Sequence, residues 1–65
     1  MQPHELRVVE EKRELDARIS KLGPFLKTEM YNQLPEAEKD RLFRQHGLMN
    51  LYSTILSERI AAFPV

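Results

Sequence analysis

In the second half of the chain one stripe of positions recurs in steps of three and four: Leu42, Gln45, Met49, Tyr52, Leu56, Arg59 and Phe63. This spacing is that of one face of an α-helix. A second row, Leu48, Leu51 and Ile55, lies beside it. The combined apolar face is wider than one neighbouring helix can cover, which points to further copies of the chain. In the first half, Val8, Leu15, Ile19 and Leu22 also fall at helical spacing, and Lys12 interrupts their stripe.

The punctuation between these stripes sets the expected elements. Pro3 suits the first position of a helix, and Glu5 in its first turn suits the helix dipole. Gly23-Pro24 reads as a stop, with glycine beyond the helix end and proline unable to extend the hydrogen-bond ladder. The first helix is therefore expected at about 3–22. Phe25, Leu26, Met30 and Tyr31 suggest a short helix at about 25–31, continuing after a kink. Pro35, followed by Glu36 and Glu38, opens a last helix at about 35–61. Alternating strand patterns are missing. The expectation is an all-α, single-domain chain: a kinked antiparallel helical hairpin that assembles into a homo-oligomer. The row Leu48, Leu51 and Ile55, with Tyr52, is the expected oligomer interface.

Size sharpens the case for assembly. A chain of 65 residues buries little surface, and such domains are usually reinforced by disulfides, a metal or oligomerisation. There is no cysteine, and His4 and His46 fall in different expected helices without partners at ligand spacing. Ten Lys plus Arg balance ten Asp plus Glu, which argues against binding a DNA or RNA polymer. A small anion in a local basic pocket stays compatible with that balance. No stretch approaches the ~20 apolar residues of a membrane span, and the polar start does not resemble a signal peptide. A cytoplasmic protein with no cofactor is the expectation.

Few residues suggest chemistry. Gly47 in mid-helix costs about 1 kcal/mol relative to alanine, so a close approach by another backbone or a ligand would explain it. Arg44, one turn earlier on the side of Leu48 and Leu51, is placed to hold a phosphate at an oligomer axis. The plain alternative is a surface arginine and a tolerated glycine. Lys21 either complements the end of the first helix or contacts a phosphate beside the bend, with Gly23 admitting a ligand near the backbone. Arg7 and Lys12 can equally be satisfied by Glu11 and Asp16 at i,i+4, and Glu14 by Arg18. Gln45 reads as a register-setting polar residue. There is no Gly-rich phosphate loop, no H-E-x-x-H and no nucleophile elbow. A binding protein is expected, not an enzyme.

Several runs carry a resemblance. They are R-V-V-E-E-K-R-E-L-D at 7–16, K-L at 21–22, F-L at 25–26, L-P-E-A-E at 34–38, R-L-x-R-Q at 41–45, M-x-x-Y at 49–52 and I-L-x-E-R-I at 55–60. In this order and spacing, over about residues 4–61, the chain resembles the helical hairpin shared by phage anti-CBASS proteins and the related Thoeris-blocking sponges. The resemblance implies a phage antidefence sponge in the cytoplasm of the infected bacterial host. Such proteins bind cyclic nucleotide immune signals and hold them intact. Characterised members form hexamers from two trimers, with cyclic dinucleotide sites between protomers and, in some, cyclic trinucleotide sites near threefold axes.

By the same resemblance, Lys21 falls at a phosphate-contacting lysine. Gly23 falls where some relatives carry a threonine hydroxyl, which this chain lacks. His4, Leu6 and Arg7 fall where relatives offer an aromatic ring for base stacking. Leu6 is apolar but not aromatic, so His4 or the Arg7 guanidinium would have to stack instead. Arg44 is the candidate for a trinucleotide site, with Gly47 giving room. Two rival readings remain: a small helical module that docks on a host or phage protein, and a small enzyme that degrades the signal.

Overall fold

The computed structural model describes residues 1–64. The protein is all-α. Helix α1 spans Pro3–Phe25, α2 Glu29–Asn32 and α3 Glu36–Ala61. Pro3 sits at the start of α1, where its missing N–H costs nothing. Glu5 folds back so that its Oε1 accepts a 2.6 Å hydrogen bond from the Gln2 amide, and it is buried there. One of the helix's four unpaired N-terminal donors is thereby satisfied.

The expected stop at Gly23-Pro24 is corrected by the structure: α1 runs through both residues to Phe25. No glycine has a positive φ, so Gly23 is not a left-handed cap. Proline removes one donor but keeps its carbonyl. The Leu26 amide still bonds to the Leu22 and Gly23 carbonyls, and the Lys27 amide to that of Pro24. The break comes at Thr28, which adopts an extended conformation and caps α2, its Oγ1 accepting from the Tyr31 amide at 3.2 Å. The second helix is accordingly shorter and later than the expected 25–31. Pro35 takes the N-cap position of α3 rather than its first turn.

Helices α1 and α3 pack as an antiparallel hairpin, 48 Å long and 14 Å in each other dimension. Lys12 and Asp16 meet Ser53, while Gly23 lies against His46. Numbers rising along α1 thus meet numbers falling along α3. The core is Val8, Leu15 and Leu56, flanked by Ile19, Met49, Ile60 and Phe63.

The seam of α3 differs from the expected stripe. Leu42, Met49, Leu56 and Phe63 face α1 as expected, but His46, Ser53 and Ile60 sit between them, while Gln45, Tyr52 and Arg59 are exposed. Seven-residue spacing leaves the intermediate position open to either the third or the fourth residue. The opposing helix chooses. Gly23 leaves room for the His46 ring, and the polar pair Lys12 and Asp16 hydrogen-bonds to Ser53.

Two helices make only one contact layer. Much apolar surface therefore stays outside: Leu48, Leu51 and Ile55 are 66%, 63% and 53% exposed, and Tyr52 is 42% exposed. At 100° per residue these four share one side of α3, turned away from α1. No helix among the described residues is long and apolar enough to cross a membrane.

Candidate functional site

The basic residues divide into paired and unpaired sets. Five exposed or half-buried ion pairs form: Lys12–Asp16, Arg13–Glu10, Lys39–Glu36, Arg41–Glu38 and Arg44–Asp40. The expected Arg7–Glu11 and Glu14–Arg18 pairs are not among them. Among the described residues, Arg7, Arg18, Lys21, Lys27 and Arg59 carry unpaired charges. The Arg13 hydrogen bond holds the Glu10 carboxyl below its usual range, and Glu10 in turn raises the Arg13 guanidinium. Asp16 is held low by its hydrogen bonds to Lys12 and Ser53.

His4, Leu6, Arg7 and Lys21 all lie exposed on α1. Arg7 and Lys21 share a side of that helix but stand about 21 Å apart along its axis, from fourteen residues at 1.5 Å each. One chain does not bring them to one compact ligand. Lys21 also lies before the last turn of α1, because the helix continues to Phe25. Gly23 does not join Lys21. Two residues correspond to about 200° of rotation, so Gly23 faces α3 while Lys21 faces outward.

Arg44 lies in an open groove of about 530 Å³ with Arg41, Gln45, Leu48, Met49 and Tyr52. The groove joins the expected phosphate contact to two of the expected interface residues. Arg41 was not among the sequence candidates. Its position three residues before Arg44, on the same side of a helix, was the available signal. Both arginines pair with exposed carboxylates, Arg41 Nε with Glu38 and Arg44 Nε with Asp40, each at 2.9 Å. Exposed pairs of this kind contribute about 0–1 kcal/mol, so they hold the two guanidinium groups only weakly. Gly47 is exposed, and a Cβ built on it meets nothing within 4 Å. Within the chain nothing explains this glycine.

Gly23 lines a second recess, a cleft of about 680 Å³ at the turn end of the hairpin. A Cβ on Gly23 would sit 3.3 Å from His46 Nε2. The glycine thus permits close packing of α1 on α3 at the edge of the cleft it lines. The other walls come from Pro24, Leu26, Lys27, Tyr31, Phe43 and His46. Tyr31 fixes α2 against α3: its hydroxyl donates to the Lys39 carbonyl at 2.9 Å, and its ring meets Phe25 edge-on at 6.1 Å. The sequence alone did not mark this recess, because Lys27 and Phe43 lie sixteen residues apart and meet only through the fold.

A family model described as Sequestin matches residues 2–62. No curated protein and no solved structure matches the chain.

Proposed function

Because the chain belongs to the Sequestin family, we propose that it is a sponge: a phage antidefence protein that binds cyclic di- or trinucleotide immune signals without degrading them. The family match over nearly the whole chain carries this reading, since the family's description points to sequestration. The arrangement of charge supports it. A chain with no net charge still holds unpaired Arg7 and Lys21 and the Arg41–Arg44 groove. Arg7 and Lys21, about 21 Å apart along α1, do not reach one compact ligand within a chain. Assembly would bring them together, Arg7 of one copy beside Lys21 of another, for the phosphates of a cyclic dinucleotide. Three copies of Arg44 around an axis would suit a cyclic trinucleotide, with Gly47 leaving space.

Assembly in turn has a driving force. Leu48, Leu51, Tyr52 and Ile55 form an exposed apolar strip, and covering each half-exposed Leu or Ile contributes about 1–2 kcal/mol. A homo-oligomer, in the hexameric form the resemblance implies, covers the strip. Binding alone suffices for this role, in the cytoplasm of the infected bacterium; no chemical step is assigned.

The test is direct. The purified protein is mixed with cyclic di- and trinucleotides and removed by filtration, then heated, and both fractions are chromatographed. The expected result is depletion from the filtrate and release of unchanged nucleotide. No depletion at stoichiometric excess overturns the reading, and altered nucleotide would indicate an enzyme. The exposed strip also favours a second reading, a module docking on a host or phage protein. Co-purification of a stoichiometric protein partner with no nucleotide bound would select it.

A further inference from the structure

The cleft at the turn end has a chemistry of its own. It lies within one chain, on the opposite side of α1 from Lys21, and none of the charged contacts proposed above uses it. Its walls are mostly apolar, its volume of about 680 Å³ is that of a small-molecule pocket, and two polar groups converge on it. One is the Lys27 ammonium, which has no ion-pair partner among the described residues. The other is the His46 imidazole, held on the floor opposite Gly23. The rim is Phe43, 66% exposed, an aromatic face that the hairpin leaves uncovered.

The cleft is also built rigidly. Thr28 caps α2, Tyr31 ties it to the Lys39 carbonyl, and Phe25 packs edge-on against Tyr31. Pro24 stiffens the end of α1. The recess therefore exists before any ligand arrives, which lowers the ordering cost of binding.

An aromatic wall beside a free cation suits one class of ligand: a planar heteroaromatic ring carrying a phosphate. The ring would stack on Phe43, and the phosphate would reach Lys27 beside the His46 ring. We infer that this cleft is a mononucleotide-sized site that takes one base and one phosphate, complete within a single chain. The inference rests on the sponge reading for naming the ring a nucleobase, but it needs neither assembly nor a cyclic ligand.

Adenosine 5′-monophosphate serves as the probe, titrated into the intact protein and followed by 15N–1H spectra. The expected result is saturable shifts at Lys27, Phe43 and His46. Phe43→Ala and Lys27→Ala, both at exposed positions, should each weaken binding by about tenfold or more, whereas Lys21→Ala should leave it unchanged. Shifts confined to other residues, no saturation, or unchanged affinity in both cleft variants would overturn the inference. The two proposals fail separately. If cyclic oligonucleotides are not depleted but the monophosphate shifts the cleft residues, the sponge reading falls and the cleft stands. If depletion occurs but is insensitive to Phe43→Ala and Lys27→Ala, and the monophosphate leaves the cleft unshifted, the reverse holds.

Discussion

Ser53 Oγ donates a 2.5 Å hydrogen bond to Asp16 Oδ1, joining residues 37 positions apart in the chain. Lys12 Nζ closes the triad, donating to Asp16 Oδ2 at 2.6 Å and to Ser53 Oγ at 3.0 Å. The two bonds to Ser53 are side-chain hydrogen bonds that cross between α1 and α3, and they lie half-exposed at the edge of the apolar seam. Sliding one helix by a turn would break both bonds to Ser53 while leaving the Lys12–Asp16 pair within α1 intact, so Ser53 favours this register. Ser53→Ala removes one hydroxyl from a charged network. It should destabilise the fold by about 1–2 kcal/mol, read as a lower urea midpoint at unchanged slope.

The same contacts make the fold acid-sensitive. The Lys12 hydrogen bond first, then that of Ser53, holds the Asp16 carboxyl below its ordinary 3.8. The folded state thus favours the ionised form. Its contribution is fully present above the unfolded value and is lost as pH falls through the lower folded value. Glu10, held below its ordinary 4.5 by Arg13, acts in the same direction. Thermal midpoints should fall on acidification below about pH 4, and Asp16→Asn should show a flatter decline than the parent. An equally steep decline in Asp16→Asn would assign acid lability elsewhere.

Leu56 is fully buried and touches the centre of a very small core. Leu56→Ala should cost about 2–5 kcal/mol. That is a large share of what a chain of this size can hold. Circular dichroism should show a partly unfolded chain at room temperature. Leu51→Ala, at a position 63% exposed, should leave the helical signal of the isolated chain nearly unchanged.

Gly47 gives a test of opposite sign. A Cβ there meets nothing within 4 Å, so Gly47→Ala should stabilise α3 by about 1 kcal/mol. A thermal shift assay reads this gain. Under the sponge reading the same variant should bind cyclic trinucleotide more weakly, because the added methyl takes space beside Arg44. A gain in stability with full trinucleotide binding would remove Gly47 from the site.

Assembly and ligand contact should separate. Leu51→Asp places a charge in the exposed apolar strip, and light scattering should report a smaller species that retains its helicity. Lys21→Ala and Arg7→Ala should leave the mass unchanged and abolish depletion of cyclic dinucleotide. If Leu51→Asp leaves the mass unaltered, the strip is not the contact between copies.

Much of the candidate site was legible in residue identity but not in arrangement. Lys21 and Gly23 are two positions apart and look like neighbours in a phosphate pocket. Because α1 continues unbroken, they lie about 200° apart, one outward and one against His46. Arg44, Leu48 and Tyr52 do share one groove, since steps of three and four hold within a single helix whatever packs beside it. The cleft was not legible, because Phe43, His46 and Lys27 meet there only once α2 folds back and Tyr31 bonds to Lys39.

What the sequence by itself determined are the local facts: two long helices, a start at Pro3, a restart after Pro35, and a row at Leu42, Met49, Leu56 and Phe63 that recurs every seven residues. Each follows from backbone sterics, capping and helical period, which need no distant partner. The tertiary structure decided which residues complete that row. A period of 3.6 residues allows Gln45 or His46, Tyr52 or Ser53, and Arg59 or Ile60 almost equally. Gly23, with no side chain, admitted His46, and Lys12 and Asp16 favoured the Ser53 hydroxyl as a hydrogen-bonding partner. That choice turned Tyr52 outward to join Leu48, Leu51 and Ile55, and so placed the apolar strip on the side away from α1.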